Sequence, residues 1–416
     1  MKITLLTYGS QGDVIPFAAL GKALAQAGHQ ITLAAPEKFR FLVDQDQIEY
    51  AALPGDPQQM VQDLVSRAGN NWWRIIRTMS SFVLPLGIEV SRIAHDASRD
   101  ADIILHSFLL TNTGYEIARE MDIPDLSVQT FPVFASTAAF PAPVAPDLPL
   151  GGLYRRLTHG FVTQTFWQGS RLIYSLMRKE DPLLPPLTSW PFNKRNDWQT
   201  PILYAFSPSV IPRPEDWHDN INITGYWFDD FSNDWTPQKG LLDFIHSGSP
   251  PVAVVFGSTG TNGLKGIYQK IHRAFEASNQ RAVIVGDQTG EDVPSHLFYQ
   301  RGYVPYSWLF ERSSAVIHHG GAGTTGKALR AGIPQIILPF TSDQPFWGRR
   351  VHKLGAGPKP IPPKRLDPEK LAKAIHTVIH NPNMRSRAEI IARAISKEDG
   401  IKDAMKIIES FGDKDG

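Results

Sequence analysis

The sequence predicts an α/β protein made of two doubly wound parallel sheets in succession. Three observations carry this expectation. Short apolar runs of strand length alternate with segments of helical periodicity, the pattern of parallel strands joined by covering helices. The pattern pauses near "GYWFDDFSNDWTPQKG" (225–240), a stretch rich in Asp, Gly, Pro and Asn. It then restarts, and 416 residues exceed what one compact core accommodates. The expected domains are residues 1–235, 236–398, and a C-terminal helix from 399 to 416 that crosses back to the first domain.

In the first half the strand runs are Ile3–Tyr8, Ile31–Ala35, Ile48–Leu53, Asp102–Ser107, Leu126–Phe131 and Ile202–Phe206. The helix after the first run, "PFAALGKALAQAGH", places Leu20, Leu24 and Ala27 on one face. In the second half "PPVAVVFGSTG", "RAVIVGD", "FYQRGYV", "SAVIHHGG" and "PQIILPF" are uniformly apolar, as strands buried on both faces must be. Helical periodicity lies between them, as in Ile267–Ala277. Residues 132–200 break the alternation with many Pro and aromatic residues and read as loops plus one helix, Leu153–Met177. This insertion is either surface elaboration or the wall of an apolar pocket. No tandem repeat at 20–50-residue spacing is visible.

Composition removes several function classes. Lys plus Arg number 42 against 41 Asp plus Glu, so no basic field exists to hold nucleic acid. Cysteine is absent, which excludes disulfides and thiolate metal sites. The start, "MKITLLTYGS", lacks the long apolar run of a signal peptide, and no stretch reaches the ~18 apolar residues of a membrane span. The expectation is a cytoplasmic protein. The "NNWWRIIRTM" segment, with Trp72 and Trp73 beside arginines, is a candidate for peripheral contact with a membrane surface. "DQD" at Asp44–Asp46 imitates a metal-binding carboxylate pair and reads as a solvated face.

The segment "HHGGAGTTGKA" (318–328) approaches a nucleoside-triphosphate loop. It fails at Ala328, where that loop needs a Ser or Thr hydroxyl for Mg²⁺. The underlying physics survives. Gly320, Gly321 and Gly323 follow the strand "AVIHH" and precede a helix expected at "TTGKALRAG". A helix N-terminus attracts an anion through its free N–H groups and dipole. Thr324 and Thr325 are candidates to cap that helix or to donate to phosphate. His319 offers a positively polarised donor to a diphosphate, or alternatively a core hydrogen bond.

"HHGGAGTT" followed by "GIPQIILPFTSDQPFWGRRVHKLGAGP" resembles the donor-binding segment of GT-B glycosyltransferases of the UDP-glycosyltransferase superfamily. "TYGSQGDVIPFAALGKAL" and "YAFSPSVIPRPEDWHDNINITGYWF" are similar to the corresponding segments of the sterol 3-beta-glucosyltransferase branch and its bacterial relatives. The resemblance spans most of the chain and is weakest in residues 55–100 and 132–200. It implies two Rossmann-like domains facing a cleft and transfer of a hexose from UDP-glucose to a lipophilic alcohol such as a sterol. It also implies inversion at the anomeric carbon, no cofactor and no metal.

The resemblance assigns roles to particular residues. His319 and the backbone of Gly321, Ala322, Gly323 and Thr324 meet the donor diphosphate, with Ser258 and Thr259 beside it. Asp343 and Gln344 grip sugar hydroxyls, or else form a solvated turn. Tyr303 stacks on the base and the Val304 backbone reads its edge, or Tyr303 is an ordinary strand-end aromatic. Ser10 and Gly12 of the first loop are further donor-binding candidates, and Asp13 of the same loop is the candidate base. Asp13 equally suits a side-chain cap on the helix that follows. His106 is either Asp13's partner or a buried, hydrogen-bonded histidine; His318 reads as structural. Plant members carry Trp and Glu where this chain has Ala322 and Lys327, which leaves the ribose contact undefined and UDP against dTDP open. Trp72, Phe131, Phe134 and Phe140 are acceptor-pocket candidates, or core. Two competing classes are a nucleotide-sugar epimerase of the same fold and a catalytically idle partner protein.

Overall fold

The computed structural model describes residues 1–43, 47–56, 84–192, 200–229, 235–257, 265–286 and 293–412. It divides into two compact units. Unit 1 holds Met1–Phe206, Arg213–Asp229 and Asp399–Gly416; unit 2 holds Ser207–Pro212 and Asp230–Glu398.

The described elements of unit 1 are β1 (Lys2–Leu6), α1 (Gln11–Gln26), β2 (Gln30–Pro36), β3 (Ile48–Leu53), α2 (Leu84–Ala97), β4 (Ile103–His106), α3 (Thr111–Met121), β5 (Asp125–Gln129), α4 (Gly151–Glu180), β6 (Ile202–Tyr204) and β7 (Ile221–Ile223). The sheet order is β3-β2-β1-β4-β5-β6-β7, and each pair is parallel. Alternate residues of each strand enter opposite cores. Leu5, Leu33, Leu105 and Leu203 pack with Leu20 and Leu24 of α1. Leu6, Ala34 and Ile104 pack on the other side with Val90 of α2 and Ile117 of α3. Ala27, expected on the buried face of α1, is instead its exposed C-cap; the helix ends at Gln26, ahead of Gly28 at φ +91°. Strand β7 was not anticipated. "INI" is too short to show a period and follows a Pro- and Asp-rich loop.

Unit 2 holds α5 (Lys239–His246), β8 (Val252–Val255), α6 (Lys265–Ser278), β9 (Ala282–Val285), β10 (Leu297–Gln300), α7 (Tyr306–Glu311), β11 (Ala315–His318), α8 (Ala322–Arg330), β12 (Gln335–Ile337), α9 (Gln344–Leu354), α10 (Pro368–His380) and α11 (Pro382–Ile395). Its order is β10-β9-β8-β11-β12, again all parallel. Val252, Val254 and Ile317 face α6 and α10, while Ala253, Val255 and Val316 face α5, α7 and α8. The last helix, α12 (Gly400–Glu409), packs on α1 in unit 1 through Ala404 and Ile408.

In both sheets the strand order reverses direction beside the first strand. The reversal lies between β1 and β4 in unit 1 and between β8 and β11 in unit 2. A crevice forms outside the carboxyl ends of the strands at such points, because the two following helices diverge to opposite faces.

Close approach of α3 to β4 rests on Gly114, where an added Cβ would lie 2.6 Å from the Cβ of His106. Gly114→Ala should therefore destabilise unit 1 by about 1–3 kcal/mol through overpacking. Urea denaturation measures this, and an unchanged midpoint would show that the contact relaxes freely.

Candidate functional site

At the unit 1 switch point, the loop after β1 carries Tyr8, Gly9 and Ser10 into α1. Ser10 is the N-cap and Asp13 the third helical residue. One carboxylate oxygen of Asp13 accepts the Ser10 backbone N–H at 2.7 Å and the Ser10 hydroxyl at 2.8 Å. The capping role open to Asp13 is thus realised. The carboxyl is half-buried by exposed area but densely surrounded, and loss of water pushes its pKa up, with the two Ser10 bonds opposing. A Cβ on Gly9 would sit 2.4 Å from this oxygen, so only glycine lets the carboxylate fold back over the loop. Gly12 is exposed in the first turn. From the neighbouring strand end, the Ser107 hydroxyl accepts the Tyr8 N–H at 3.3 Å.

His106 does not pair with Asp13. Its Nε2 bonds Asp125 at 2.8 Å; both side chains are fully buried, and Asp125 also accepts the Thr200 hydroxyl at 2.9 Å. The reversed pair open in the sequence is therefore replaced by a core network tying β4, β5 and the approach to β6. Only pairing between adjacent strands revealed Asp125 as the partner.

The aromatic insertion assembles beyond β5. Phe134 lies 5.4 Å from Phe108, 5.2 Å from Phe166 of α4, and 5.1 Å from both Trp190 and Phe192; Phe131 meets Phe108 at 5.4 Å. Phe140 lies against His159 and Trp217. Trp217 in turn lines a cavity that Phe134 also borders. The segment carrying Trp190 is clamped on α3: Glu116 accepts the Thr188 N–H at 2.7 Å, and the Tyr115 hydroxyl meets that of Ser189 at 3.0 Å. A cavity of about 340 Å³ adjoins the cluster, lined by Phe134, Phe192, Ile202 and Trp217, with Arg156, Asp216 and Asn220 as polar members. Trp72 and Trp73 lie outside the described residues.

At the unit 2 switch point, β11 ends in His318 and passes through His319 and Gly320 into α8. The helix begins at Ala322 with Gly321 as N-cap, two residues before the expected start. Thr324 and Thr325 therefore cannot cap it. Thr324 lies within the first turn, and Thr325 is buried and makes the first helical bond, to the Gly321 carbonyl at 2.9 Å. The N–H groups of Ala322, Gly323 and Thr324 precede that bond and lack intrahelical partners. A Cβ on Gly323 would meet nothing within 4 Å, so the mouth is open there.

His318 shapes the loop. Its Nε2 is 2.8 Å from Gln335 Oε1, and its Nδ1 accepts the Gly320 N–H at 3.1 Å. That arrangement requires the neutral tautomer protonated on Nε2. Burial, with His319 adding to it, lowers the His318 pKa to about 3. Gly320 sits at φ +91°, and a Cβ there would lie 2.7 Å from Ile337 and 3.1 Å from the Gln344 carbonyl. The same turn thus brings His319 and Gly321 beside the start of α9. The His319 Nε2 lies 2.5 Å from where a Gly321 Cβ would be, at the helix mouth. Its Nδ1 is buried with no hydrogen bond formed, although the Val255 carbonyl is near enough to favour the protonated ring. Burial prevails and lowers the pKa to about 4, so His319 presents a neutral ring rather than a cation.

Asp343 is the N-cap residue of α9 and accepts the Trp347 indole N–H at 2.9 Å. Gln344 Oε1 accepts the Phe340 and Thr341 N–H groups at 2.7 and 3.2 Å. The pair is half-buried and pinned, not a solvated turn. The Tyr303 ring is exposed, its carbonyl accepting the Trp235 indole N–H at 3.1 Å, while the Val304 side chain is buried. Ser258, Thr259 and the Asp44–Asp46 stretch lie outside the described residues.

Comparison with known proteins identifies the family. The glycosyltransferase family 28 N-terminal domain matches residues 3–90, and the erythromycin biosynthesis protein CIII-like C-terminal domain matches residues 283–404. The chain belongs to the GT-B glycosyltransferases of the UDP-glycosyltransferase superfamily. The O-mycaminosyltylonolide 6-deoxyallosyltransferase of Streptomyces fradiae is 36% identical, over 99% of this chain and 98% of that protein. The sterol 3-beta-glucosyltransferase of Emericella nidulans is 33% identical over 98% of this chain, which spans 30% of that protein. The crystal structure of the glycotransferase of kitacinnamycin superposes with a TM-score of 0.70 at 18% identity, covering 99% of this chain and 98% of its own, which shows the fold.

Both switch-point histidines are neutral when folded and regain an ordinary pKa near 6.5 on unfolding. The unfolded chain then binds more protons below that pH. Stability should fall as pH drops from about 6.5 towards about 4, by up to about 1.4 kcal/mol per pH unit for each histidine. Urea melts between pH 7 and 5 measure the slope. His318→Asn should remove one proton's share, and a flat wild-type profile would contradict the buried neutral rings.

Proposed function

We propose that this glycosyltransferase moves a hexose from a nucleoside diphosphate sugar to the hydroxyl of a lipophilic acceptor by a single inverting displacement. UDP-glucose is the donor favoured by the resemblance to the sterol branch. The reading is supported most by the open N-terminus of α8, where three backbone N–H groups lack helical partners and the His319 ring lies against the Gly321 cap. A leaving diphosphate bears its developing charge where such donors need no reorganisation to meet it. In this reading the helix mouth and His319 supply stabilisation that a metal ion gives elsewhere, and no cofactor takes part. Tyr303 offers an exposed face for the base. Asp343 and Gln344, a carboxylate and an amide pinned side by side at the start of α9, are the pair suited to grip vicinal sugar hydroxyls.

The acceptor oxygen attacks the anomeric carbon as the bond to the diphosphate breaks, and Asp13 takes the acceptor proton. Burial makes Asp13 a stronger base than a free aspartate, while Ser10 holds one of its oxygens and leaves the other. In unit 1 the aromatic cluster around Phe134 supports an apolar acceptor. A sterol, from the names of relatives of which this chain spans only part, and a tylonolide-type macrolide, from the name of the relative matched over nearly its whole length, are the two classes favoured. The cluster also disfavours an epimerase, which needs no second substrate.

A screen of UDP- and dTDP-linked hexoses against sterol and macrolide aglycones tests the reading. Label transferred to the lipophilic product supports it, whereas isomerised sugar or no turnover would overturn it. Asp13→Asn should lower kcat by at least about 10²-fold while nucleotide affinity holds; retained turnover removes Asp13 as base. His319→Ala should weaken nucleotide diphosphate binding on the order of tenfold in calorimetry, and unchanged affinity would contradict its role.

A further inference from the structure

Helix α4 runs for 30 residues, yet only His159, Tyr174 and Met177 along it are buried. Tyr174 and Met177 pack with Leu84 and Leu184. The opposite face is unusual for a helix in water. Leu153, Leu157 and Phe161, spaced four apart and so stacked on one side, are 74%, 64% and 73% exposed, and Leu150 just before the helix is 61% exposed. From Leu157 to Ser170 the sequence holds no Asp, Glu, Lys or Arg. The same face continues through Gln164 and Gln168 to Arg171, Arg178 and Lys179, which are exposed and form no ion pair among the described residues. No carboxylate lies on this face. One end is therefore apolar and the other cationic, in a chain whose formal net charge is only +1.

We propose that this face of α4 docks on an anionic lipid surface, with Leu150, Leu153, Leu157 and Phe161 entering the interface and the three cations meeting lipid phosphates. Exposed leucine and phenylalanine stacked on a helix are stabilised by the acyl boundary, and cations beyond them by the headgroup layer. Self-association through the length of the same face fits poorly. An antiparallel twofold pair lays the cationic end of each helix on the leucines of the other, and a parallel pair sets like charges opposite. Among the described residues no helix is long and apolar enough to cross a membrane, so the contact is with the surface. The seat is distinct from the Trp72–Trp73 segment singled out in the sequence. The inference does not rest on the acceptor assignment, and its test reads binding rather than turnover.

Flotation of the full chain with phosphatidylcholine vesicles, with and without roughly one third phosphatidylglycerol, tests it. Wild type should float with the anionic vesicles. Binding should weaken on the order of tenfold or more in the Leu157→Ser/Phe161→Ser double variant, and also when salt rises from about 0.1 to about 0.5 M. Both substitutions are on the surface, so an unchanged melting temperature confirms the variant's fold. Wild type left at the bottom of the gradient, or a double variant that floats equally well, overturns the proposal. So does a homodimer, seen by sedimentation, that the same pair of substitutions dissociates.

Discussion

A buried imidazole that cannot carry charge governs the loop between β11 and α8. His318 sits at the last position of β11, gives its Nε2 proton to Gln335 on the next strand, and receives the Gly320 N–H on Nδ1. A protonated ring would lose the second of these bonds and place a charge among apolar side chains. The neutral ring therefore fixes where the chain leaves the sheet. Gly320 then turns through a conformation, and a gap, that admit no side chain. The positions of His319, the α8 N-terminus and the start of α9 all follow from that turn.

The first loop of unit 1 uses a different device. Gly9 leaves room for the Asp13 carboxylate to fold back on Ser10 and close the cap on α1. The cap occupies a single carboxylate oxygen, which is compatible with the proposed role of Asp13 as base. Beyond the carboxyl end of β5, polar and aromatic contacts combine. Polar clamps from Glu116 and Tyr115 hold the segment that brings Trp190 into the aromatic cluster. Aromatic pairs at these spacings contribute beyond their buried area, so the wall is rigid without being regular secondary structure.

Much of this was readable from residues alone. Alternation of apolar strand runs with helical periods is a local property, and it announced two parallel sheets. "HHGGAGTT" announced the turn between β11 and α8, because its glycine spacing and small residues answer to backbone geometry; its reading as a donor loop came from the family resemblance. The errors share a cause. The sequence predicts that α8 starts at Thr324, after the last glycine of the run; in the fold Gly321 is the cap, with the His319 ring packed closely against it. His106 was weighed against Asp13, its neighbour at the switch point. Its actual partner, Asp125, lies on the adjoining strand, and nothing in the linear order signals that pairing.

Local chemistry thus settled the layering of the sheets, the glycine turns and the types of residue at each strand end, because periodicity and backbone freedom act over a few residues. Tertiary packing alone decided which polar groups became partners, which rings stayed neutral and which face of α4 was left uncovered. Those outcomes depend on desolvation and on contacts between segments tens of residues apart, and no short window of sequence contains them.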